Sequence, residues 1–217
     1  MLEQDYFMRM ISQLTAVLSE VLFHKKAQQM EEARGGIRTG VKSLLGFDLD
    51  LLHSFSDAQI LELLNTSGEL DAAKCYATAM LLKEEAGIDA VEGKTAESVG
   101  TAEKALSLML EMILSGAAGL PASTAADAEA LIEILSPYEL PLHIEEKIFR
   151  YYEQARRYDK AEDTLFGIVE RSHQFVPEGL QFYQRLLKKS DEELQAGNLP
   201  RGEAEEGAAE LRRIAVV

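Results

Sequence analysis

Apolar residues recur at steps of three and four along almost the whole chain, and this spacing decides the fold class. Between Phe7 and Leu22 eight apolar residues form one wide stripe: Phe7, Met10, Ile11, Leu14, Val17, Leu18, Val21 and Leu22. Such steps match the turn of an α-helix, in which these positions share one face. No part of the sequence shows a series of the alternating β-branched segments that a sheet requires. The sequence therefore predicts an all-α protein with at least seven helices.

Local signals predict where several helices begin and end. Gly46 follows the apolar stripe of the second helix, as a C-terminal cap does, and Ser56 with Gln59 forms a capping box. The small, uncharged segment 115–124 contains Gly-Leu-Pro and is the best candidate linker. Beyond it we predict helices at about 125–135, 141–155, 159–174, 178–196 and 203–214. We accordingly predict three parts, which are a block of helical hairpins at 1–115, a second block at 125–200 and a short C-terminal helix or tail at 201–217.

One spacing of small and large residues recurs. The stretch YYEQARRYDKAEDTL places Ala155, Tyr158, Ala161 and Leu165 at steps of three, three and four. Small residues allow two antiparallel helices to approach closely, and large residues fill the groove between them. The spacing recurs as Ala27-Met30-Ala33-Ile37 and Ala96-Val99-Ala102-Leu106, and a fourth occurrence begins at Ser67. These copies predict stacked antiparallel helical hairpins.

This pattern resembles the tetratricopeptide repeat, most closely at Ile148, Tyr152, Tyr158, Ala161 and Leu165. The chain departs from that motif where Phe149 replaces the usual small residue and where the terminal proline is missing. Nearly the whole chain also resembles a family of bacterial helical-repeat proteins known only as a domain of unknown function. That resemblance rests on EQDYFMRMI, LLGFDLDLL, YDKAEDTLF and FYQRLLKKSDEELQAGNLPRGE. The two resemblances imply a tetratricopeptide-repeat-like right-handed superhelix in a bacterial cytoplasmic protein, and they imply no catalytic residues.

The charge of the chain limits its partners. The net charge is −15, and it is unevenly placed: residues 1–45 carry +1, residues 46–135 carry −12 and residues 136–217 carry −4. Because so acidic a chain repels a polyanion, we expect neither nucleic acid nor an anionic membrane as a partner. No apolar run approaches the ~18 residues of a membrane span, and no signal peptide is apparent. The single cysteine, Cys75, fits a reducing cytoplasm.

Arg34, Arg38 and Lys42 step by four along the second predicted helix and form a basic stripe. One interpretation of this stripe is a solvated helix face. The other is a docking face for an acidic surface, which belongs to a partner, to a second subunit or to this protein's own middle third. On the second interpretation these three residues are the candidate binding residues, and a homodimer is one possible assembly.

Motifs for catalysis, metals or cofactors are weak. Gly93-Lys94-Thr95 matches the end of a phosphate-binding loop, but Ile88 stands where that loop needs a glycine, and the preceding segment is predicted to be helical. We therefore interpret these residues as a turn between helices. The four histidines show no spacing that is typical of a zinc site. We expect no catalytic residue, no metal and no cofactor.

The sequence favours a non-catalytic adaptor or scaffold that binds another protein or a peptide, and on the docking interpretation of the basic stripe that partner is acidic. Two alternatives stay open, a regulatory sensor for a peptide or small ligand and an enzyme whose site is assembled from distant residues. A closed pocket with convergent polar groups would favour the sensor. Two carboxylates, or a histidine and a carboxylate, within hydrogen-bonding reach in a cleft would favour the enzyme. An open groove with apolar and basic residues would favour the adaptor.

Overall fold

The computed structural model describes residues 2–66 and 68–215. Within them the chain forms twelve α-helices, one 3₁₀ helix and one pair of two-residue antiparallel strands. The helices are α1 Leu2–Lys26, α2 Met30–Leu45, α3 Leu49–Ser54, α4 Asp57–Leu63, α5 Ala72–Val91, α6 Thr95–Leu114, α7 Thr124–Leu135, α8 Leu142–Gln154, α9 Tyr158–Arg171, α10 Val176–Leu186, α11 Asp191–Ala196 and α12 Arg201–Ile214. The strands are β1 Asn65–Thr66 and β2 Glu69–Leu70, and the 3₁₀ helix is His173–Phe175. The prediction of an all-α fold is confirmed.

The chain divides into two compact units, residues 1–139 (unit 1) and 140–217 (unit 2). The segment 115–124, predicted as a linker, joins α6 to α7, and these two helices pack against each other within unit 1. The boundary between the two units therefore lies near residue 139 and not in the segment 115–124. The division into domains at 1–115, 125–200 and 201–217 stays a prediction. Two parts of the predictions, Ser67 of the fourth spacing match and positions 216–217 of the last block, lie outside the described residues.

Three pairs of consecutive helices, α1/α2, α5/α6 and α8/α9, pack against each other and share one turn geometry. The middle residue of each three-residue turn has a positive φ, 61° at Gln28, 74° at Gly93 and 57° at Arg156. Its N–H donates to the carbonyl three residues earlier, and the following N–H donates to the carbonyl five residues earlier. This pair of bonds satisfies carbonyls at the end of the first helix with a single residue in the left-handed region. The turn is therefore a recurring local unit of the fold.

The shared turn aligns the small residues of two of these pairs. Ala33 in α2 and Ala161 in α9 each lie five residues after the positive-φ residue, and both are fully buried. Ala27 and Ala155, which we expected to allow the helices to approach, stand directly before the positive-φ residue and are exposed. The close packing therefore involves only the second alanine of each predicted motif.

In the third pair the equivalent position is Ser98 of α6. Ala102, the second alanine of the predicted third copy, is also buried, but it lies one helical turn beyond the position equivalent to Ala33 and Ala161. The hydroxyl of Ser98 donates to the carbonyl of Ala86 on α5 at 2.8 Å. A small polar residue thus takes the place of alanine and bonds directly to the backbone of the facing helix.

Capping explains which predicted helix ends are right. Gly46 caps α2 with a φ of 86°, and Ser56 forms the expected capping box with Gln59, so both predictions are confirmed. The single helix predicted at 178–196 is wrong, because Ser190 and Glu193 form a second capping box that begins α11. A new helix start therefore interrupts a continuous apolar pattern.

Each unit has its own apolar core. In unit 1, α5 packs against α1, α2 and α6, and every residue from Cys75 to Leu82 is buried. In unit 2, Phe149 packs edge-to-face against Phe175 and Phe182, with ring centroids 5.5 and 5.2 Å away. Across residues 2–66 and 68–215, no helix has both the length and the apolar character that crossing a membrane requires.

Candidate functional site

The structure separates the three residues of the predicted basic stripe. Arg34 lies between α2 and α5, and only 13% of its side chain is exposed. Arg38 is exposed and forms no ion pair with any described residue. Lys42 is exposed and pairs with Asp48 at 3.0 Å. The three side chains therefore do not form one common docking face.

Arg34 binds three carboxylates that follow one another along the end of α5. Its guanidinium lies 3.3 Å from Glu85 Oε1, 2.9 Å from Asp89 Oδ1 and 2.8 Å from Glu92 Oε2. These acids belong to the strongly acidic middle third of the chain. Of the acidic surfaces considered for the basic stripe, the protein's own middle third is the one that holds Arg34.

Glu85 connects Arg34 to a histidine. Its carboxylate is fully buried (0% exposed), and its second oxygen lies 2.9 Å from Nε2 of His53 on α3. The His53 side chain is 44% exposed, so its ring reaches solvent on the side away from Glu85. The hydrogen bond to Glu85 raises the pKa of His53 and outweighs the opposing effect of burial. The imidazole is therefore more readily protonated than an ordinary histidine.

Lys104 of α6 approaches the same histidine from its backbone side. Its ammonium group donates to the carbonyls of Leu52 and His53, at 3.0 and 2.7 Å. These carbonyls belong to the last turn of α3, where the helix dipole favours a cation. Burial is the main reason that the pKa of Lys104 lies below its usual value. No carboxylate of the described residues forms an ion pair with Lys104. Its direct contacts are the two carbonyls, and Asp57 and Glu85 act on its charge from a greater distance.

These groups surround a cavity of about 460 Å³, open to solvent, which we call the α6 cleft. It is lined by Arg34, His53, Glu85, Asp89, Lys94, Ala96, Glu97, Gly100, Thr101 and Lys104. The space lies over Gly100, where an added Cβ would meet no atom within 4 Å. Thr101 is 9% exposed, and its hydroxyl makes no hydrogen bond to another described residue. The cleft thus combines four basic side chains, three acidic side chains and the hydroxyl of Thr101, which bonds to no described residue.

The sequence predicted one residue of this cleft as a binding residue, Arg34, and missed the others. Glu85 and Asp89 occupy buried positions of α5, and two acids in so apolar a helix were a signal that could have been followed. His53 and Thr101 carried no local signal, because they reach the cleft only through the packing of α3 and α6. Gly93 forms the predicted turn, and Lys94 beside it pairs with Glu92 at 2.7 Å.

Other features of the described residues offer less chemistry. A cavity of about 220 Å³ in unit 2 is lined by His173, Val176, Pro177, Ile214 and Ala215, with one titratable side chain among them. Within residues 2–66 and 68–215 no three His, Cys, Asp or Glu side chains are grouped as metal ligands. Of these two cavities, the α6 cleft is the one that is lined by several titratable side chains.

Comparison with known proteins places the chain in a family. The model of a family described as "Family of unknown function (DUF6483)" matches residues 1–215, so the chain belongs to that family. No curated protein and no solved structure matches the chain. The expected resemblance to a family of unknown function is thereby confirmed.

Proposed function

We propose that this member of the DUF6483 family is a non-catalytic adaptor or scaffold, which binds an acidic segment of another protein or a peptide in the α6 cleft. The observation that carries the proposal is the composition of the cleft, in which Lys94, Lys104 and His53 surround an open space next to the unpartnered hydroxyl of Thr101. Cations and a hydroxyl donor around one space are suited to an anionic group. The buried acids of the cleft, Glu85 and Asp89, are already bound to Arg34. They therefore repel an anionic ligand less than unpaired carboxylates would.

The fold that we propose for this work is a tetratricopeptide-repeat-like right-handed superhelix. Its support is the turn shared by α1/α2, α5/α6 and α8/α9, together with the equivalent buried residues Ala33 and Ala161. Hairpins of one geometry in series are the building unit of helical repeat proteins, which commonly bind peptides. The sequence resemblances further support a bacterial protein of the cytoplasm. A homodimer is part of this proposal, and light scattering on the purified protein distinguishes it from a monomer.

A tagged protein captured from its native cell extract, with mass spectrometry of the bound proteins, tests the proposed function. The decisive variant is Gly100→Gln, because the open space at Gly100 accommodates a side chain that fills the cleft. Replacing a helical glycine also favours the helix by up to about 1 kcal/mol, so the fold is retained. Gly167→Gln in α9 is the matched control, since Gly167 is exposed and an added Cβ there also meets no atom within 4 Å.

We expect the main partner to be recovered with the wild type and with Gly167→Gln and to be lost with Gly100→Gln. Equal recovery with all three proteins would show that the partner binds elsewhere. Absence of any partner that depends on the cleft would contradict the adaptor.

A regulatory sensor for a small ligand is the second candidate, and the size of the cleft favours it. A volume of about 460 Å³ lies within the range of roughly 300–1,000 Å³ that is typical of small-molecule sites. If the sensor is correct, small carboxylic acids raise the melting temperature of the wild type and not that of Gly100→Gln, while no protein partner is captured.

The pair formed by His53 and Glu85 meets the criterion that we set for an enzyme, because both residues lie at hydrogen-bonding distance in a cleft. We nevertheless infer binding, since Glu85 also holds Arg34 and the lining residues offer Thr101 as their sole hydroxyl group. Slow turnover of p-nitrophenyl esters or phosphates that disappears in His53→Asn would favour the enzyme instead.

A further inference from the structure

We infer that the α6 cleft recognises a single carboxylate group, which is held by the Thr101 hydroxyl, the Lys104 ammonium group and the ring nitrogen of His53 that faces away from Glu85. This inference rests on the proposed function and names the chemical group that the acidic partner presents.

Thr101 supplies a donor that the folded protein leaves unused. The residue is nine-tenths buried in the wall of the cleft, and its hydroxyl has no hydrogen-bond partner among the described residues. A hydroxyl that bonds to no described residue and lines an open cleft is available to an acceptor on a ligand. The position of Thr101 thus points to a ligand that carries an acceptor.

Lys104 supplies a cation that lacks a counter-charge at contact distance. Two of its three N–H groups donate to the carbonyls at the end of α3, and one N–H remains. Lys104 and Thr101 are three residues apart in α6, so both side chains lie on the same helix face. A carboxylate over Gly100 therefore meets the ammonium group and the hydroxyl together.

His53 supplies the third donor when its ring is protonated. Glu85 is bound through one oxygen to Arg34 and through the other to His53 Nε2, which fixes the orientation of the ring. A protonated imidazole carries N–H groups on both nitrogens, so Nδ1 is left to donate outward. The charge of Lys104 disfavours protonation of His53. An anion bound between these two cations relieves this repulsion.

The other charges near His53 decide which anion fits. Glu85 and Asp50 face the histidine from α5 and α3, and Glu97 lines the cleft on α6. These carboxylates repel a dianion more strongly than a monoanion. A carboxylate has two oxygens with about four acceptor positions, enough for the three donors described above. The cleft is therefore better suited to a carboxylate than to a phosphate.

Nuclear magnetic resonance titrations of the full-length protein test this assignment with three probes. The probes are N-acetyl-glutamate amide, which presents one carboxylate in a peptide context, its neutral analogue N-acetyl-glutamine amide, and inorganic phosphate. We expect saturable shifts of the Thr101 and Lys104 amide signals and of the His53 ring signals with the glutamate probe. The glutamine probe should cause no saturable shift, and phosphate should bind more weakly than glutamate.

Two variants show which donors act. Thr101→Val keeps the shape of the side chain and removes the hydroxyl, and we expect it to weaken glutamate binding by about tenfold, as the loss of one hydrogen bond to a charged group does. Lys104→Met should weaken binding at least as much, and its spectrum reports whether the end of α3 remains folded. Gly167→Gln should bind as the wild type does.

Equal binding of glutamate and glutamine probes, tighter binding of phosphate, or an unchanged affinity in Thr101→Val would overturn the assignment. These outcomes are separable from a failure of the proposed function. If Gly100→Gln loses the partner while the glutamate probe does not bind, the adaptor is supported and the carboxylate site is contradicted. If the probe binds while capture ignores Gly100→Gln, the carboxylate site stands and the adaptor falls.

Discussion

The helix pairs α5/α6 of unit 1 and α8/α9 of unit 2 have the same turn and bury different chemistry. Gly93 and Arg156 have positive φ angles of 74° and 57°, and the flanking hydrogen bonds follow the same pattern. Counted from these two residues, the positions eight and four residues earlier are both buried. Eight residues before the turn, α5 has Glu85 where α8 has Ile148. Four residues before it, α5 has Asp89 where α8 has Tyr152.

This difference shows that the same turn geometry can position either apolar core residues or buried acids. Ile148 and Tyr152 are buried in the core of unit 2. Glu85 and Asp89 are buried at the equivalent positions of α5 because a third helix, α2, supplies Arg34, which binds both carboxylates. A buried carboxylate needs a partner of opposite charge or a hydrogen-bond donor, since burial without one is costly. The packing of α2 therefore turns a core position into the wall of a polar cleft.

The largest expected effect comes from removing the partner of these acids. Arg34→Met leaves Glu85 and Asp89 buried without their guanidinium, and breaking a buried ion pair in this way costs about 3–5 kcal/mol. We expect a fall of that size in the free energy of unfolding, measured by denaturant titration. Arg38→Met on the exposed side of α2 is the matched control and should change stability by less than about 0.5 kcal/mol. Similar stabilities of the two variants would mean that α5 tolerates its acids without α2.

An intermediate effect tests whether the turns of α1/α2 and α8/α9 place equivalent alanines at the contact between the two helices of each pair. Ala33 and Ala161 are fully buried at the same distance from their turns. Replacing either by leucine overpacks the contact between the two helices and should cost about 1–3 kcal/mol. Ala27→Leu and Ala155→Leu at the exposed turn positions should cost less than about 0.5 kcal/mol. A larger loss of stability in the Ala27→Leu and Ala155→Leu variants than in the variants of Ala33 and Ala161 would contradict this prediction.

The smallest effect contrasts Glu85 with a carboxylate of unit 2. Glu162 accepts a hydrogen bond from the Tyr183 hydroxyl at 2.5 Å. Burial is the main cause that raises the pKa of Glu162; the hydrogen bond opposes it, and Asp163, Glu203 and Glu210 raise it further. A raised pKa in the folded state means that Glu162 contributes stability below its unfolded value of about 4.5 and loses this contribution as pH rises through the folded value.

We therefore expect Glu162→Gln to be at least as stable as the wild type at pH 7, with a difference of at most about 1 kcal/mol because the group is partly exposed. Below pH 4.5 the advantage of the variant should disappear. Glu85→Gln, which loses the charge that binds Arg34, should instead destabilise the protein at pH 7. Denaturant titrations of the three proteins at several pH values measure this contrast, and two variants that shift stability in the same direction would contradict it.

Much of the helical structure could be predicted because its causes are local. The apolar spacing indicated the helices, and Gly46, Ser56 and Gln59 marked their ends correctly. The failures were also local in origin. The capping box of Ser190 and Glu193 was hidden within a continuous apolar pattern, and the third copy of the small-residue spacing was assigned to Ala102 because alanine was sought where the chain uses a serine.

Less of the candidate site could be predicted. The basic stripe was visible in the sequence, but its three members have one spacing and three environments, with Arg34 in ion pairs with α5, Arg38 exposed and Lys42 paired with Asp48. Helical periodicity shows that side chains share a face and does not show what that face meets. Both interpretations of the stripe, a solvated face and a docking face, treated its three residues as one surface, although only Arg34 lines the cleft.

The sequence by itself determined the all-α class, the helix ends at Gly46 and Ser56 and the turn at Gly93, because each depends on residues within a few positions of one another along the chain. Only the tertiary structure decided that Glu85 is buried, that Arg34 and His53 bind its two oxygens, and that Thr101 lies in the cleft wall without a partner. His53 and Glu85 are 32 residues apart, and Arg34 and Glu85 are 51 apart. Contacts at such separations are set by which helices pack together, and helix packing depends on the combined shape and charge of many side chains rather than on any local pattern.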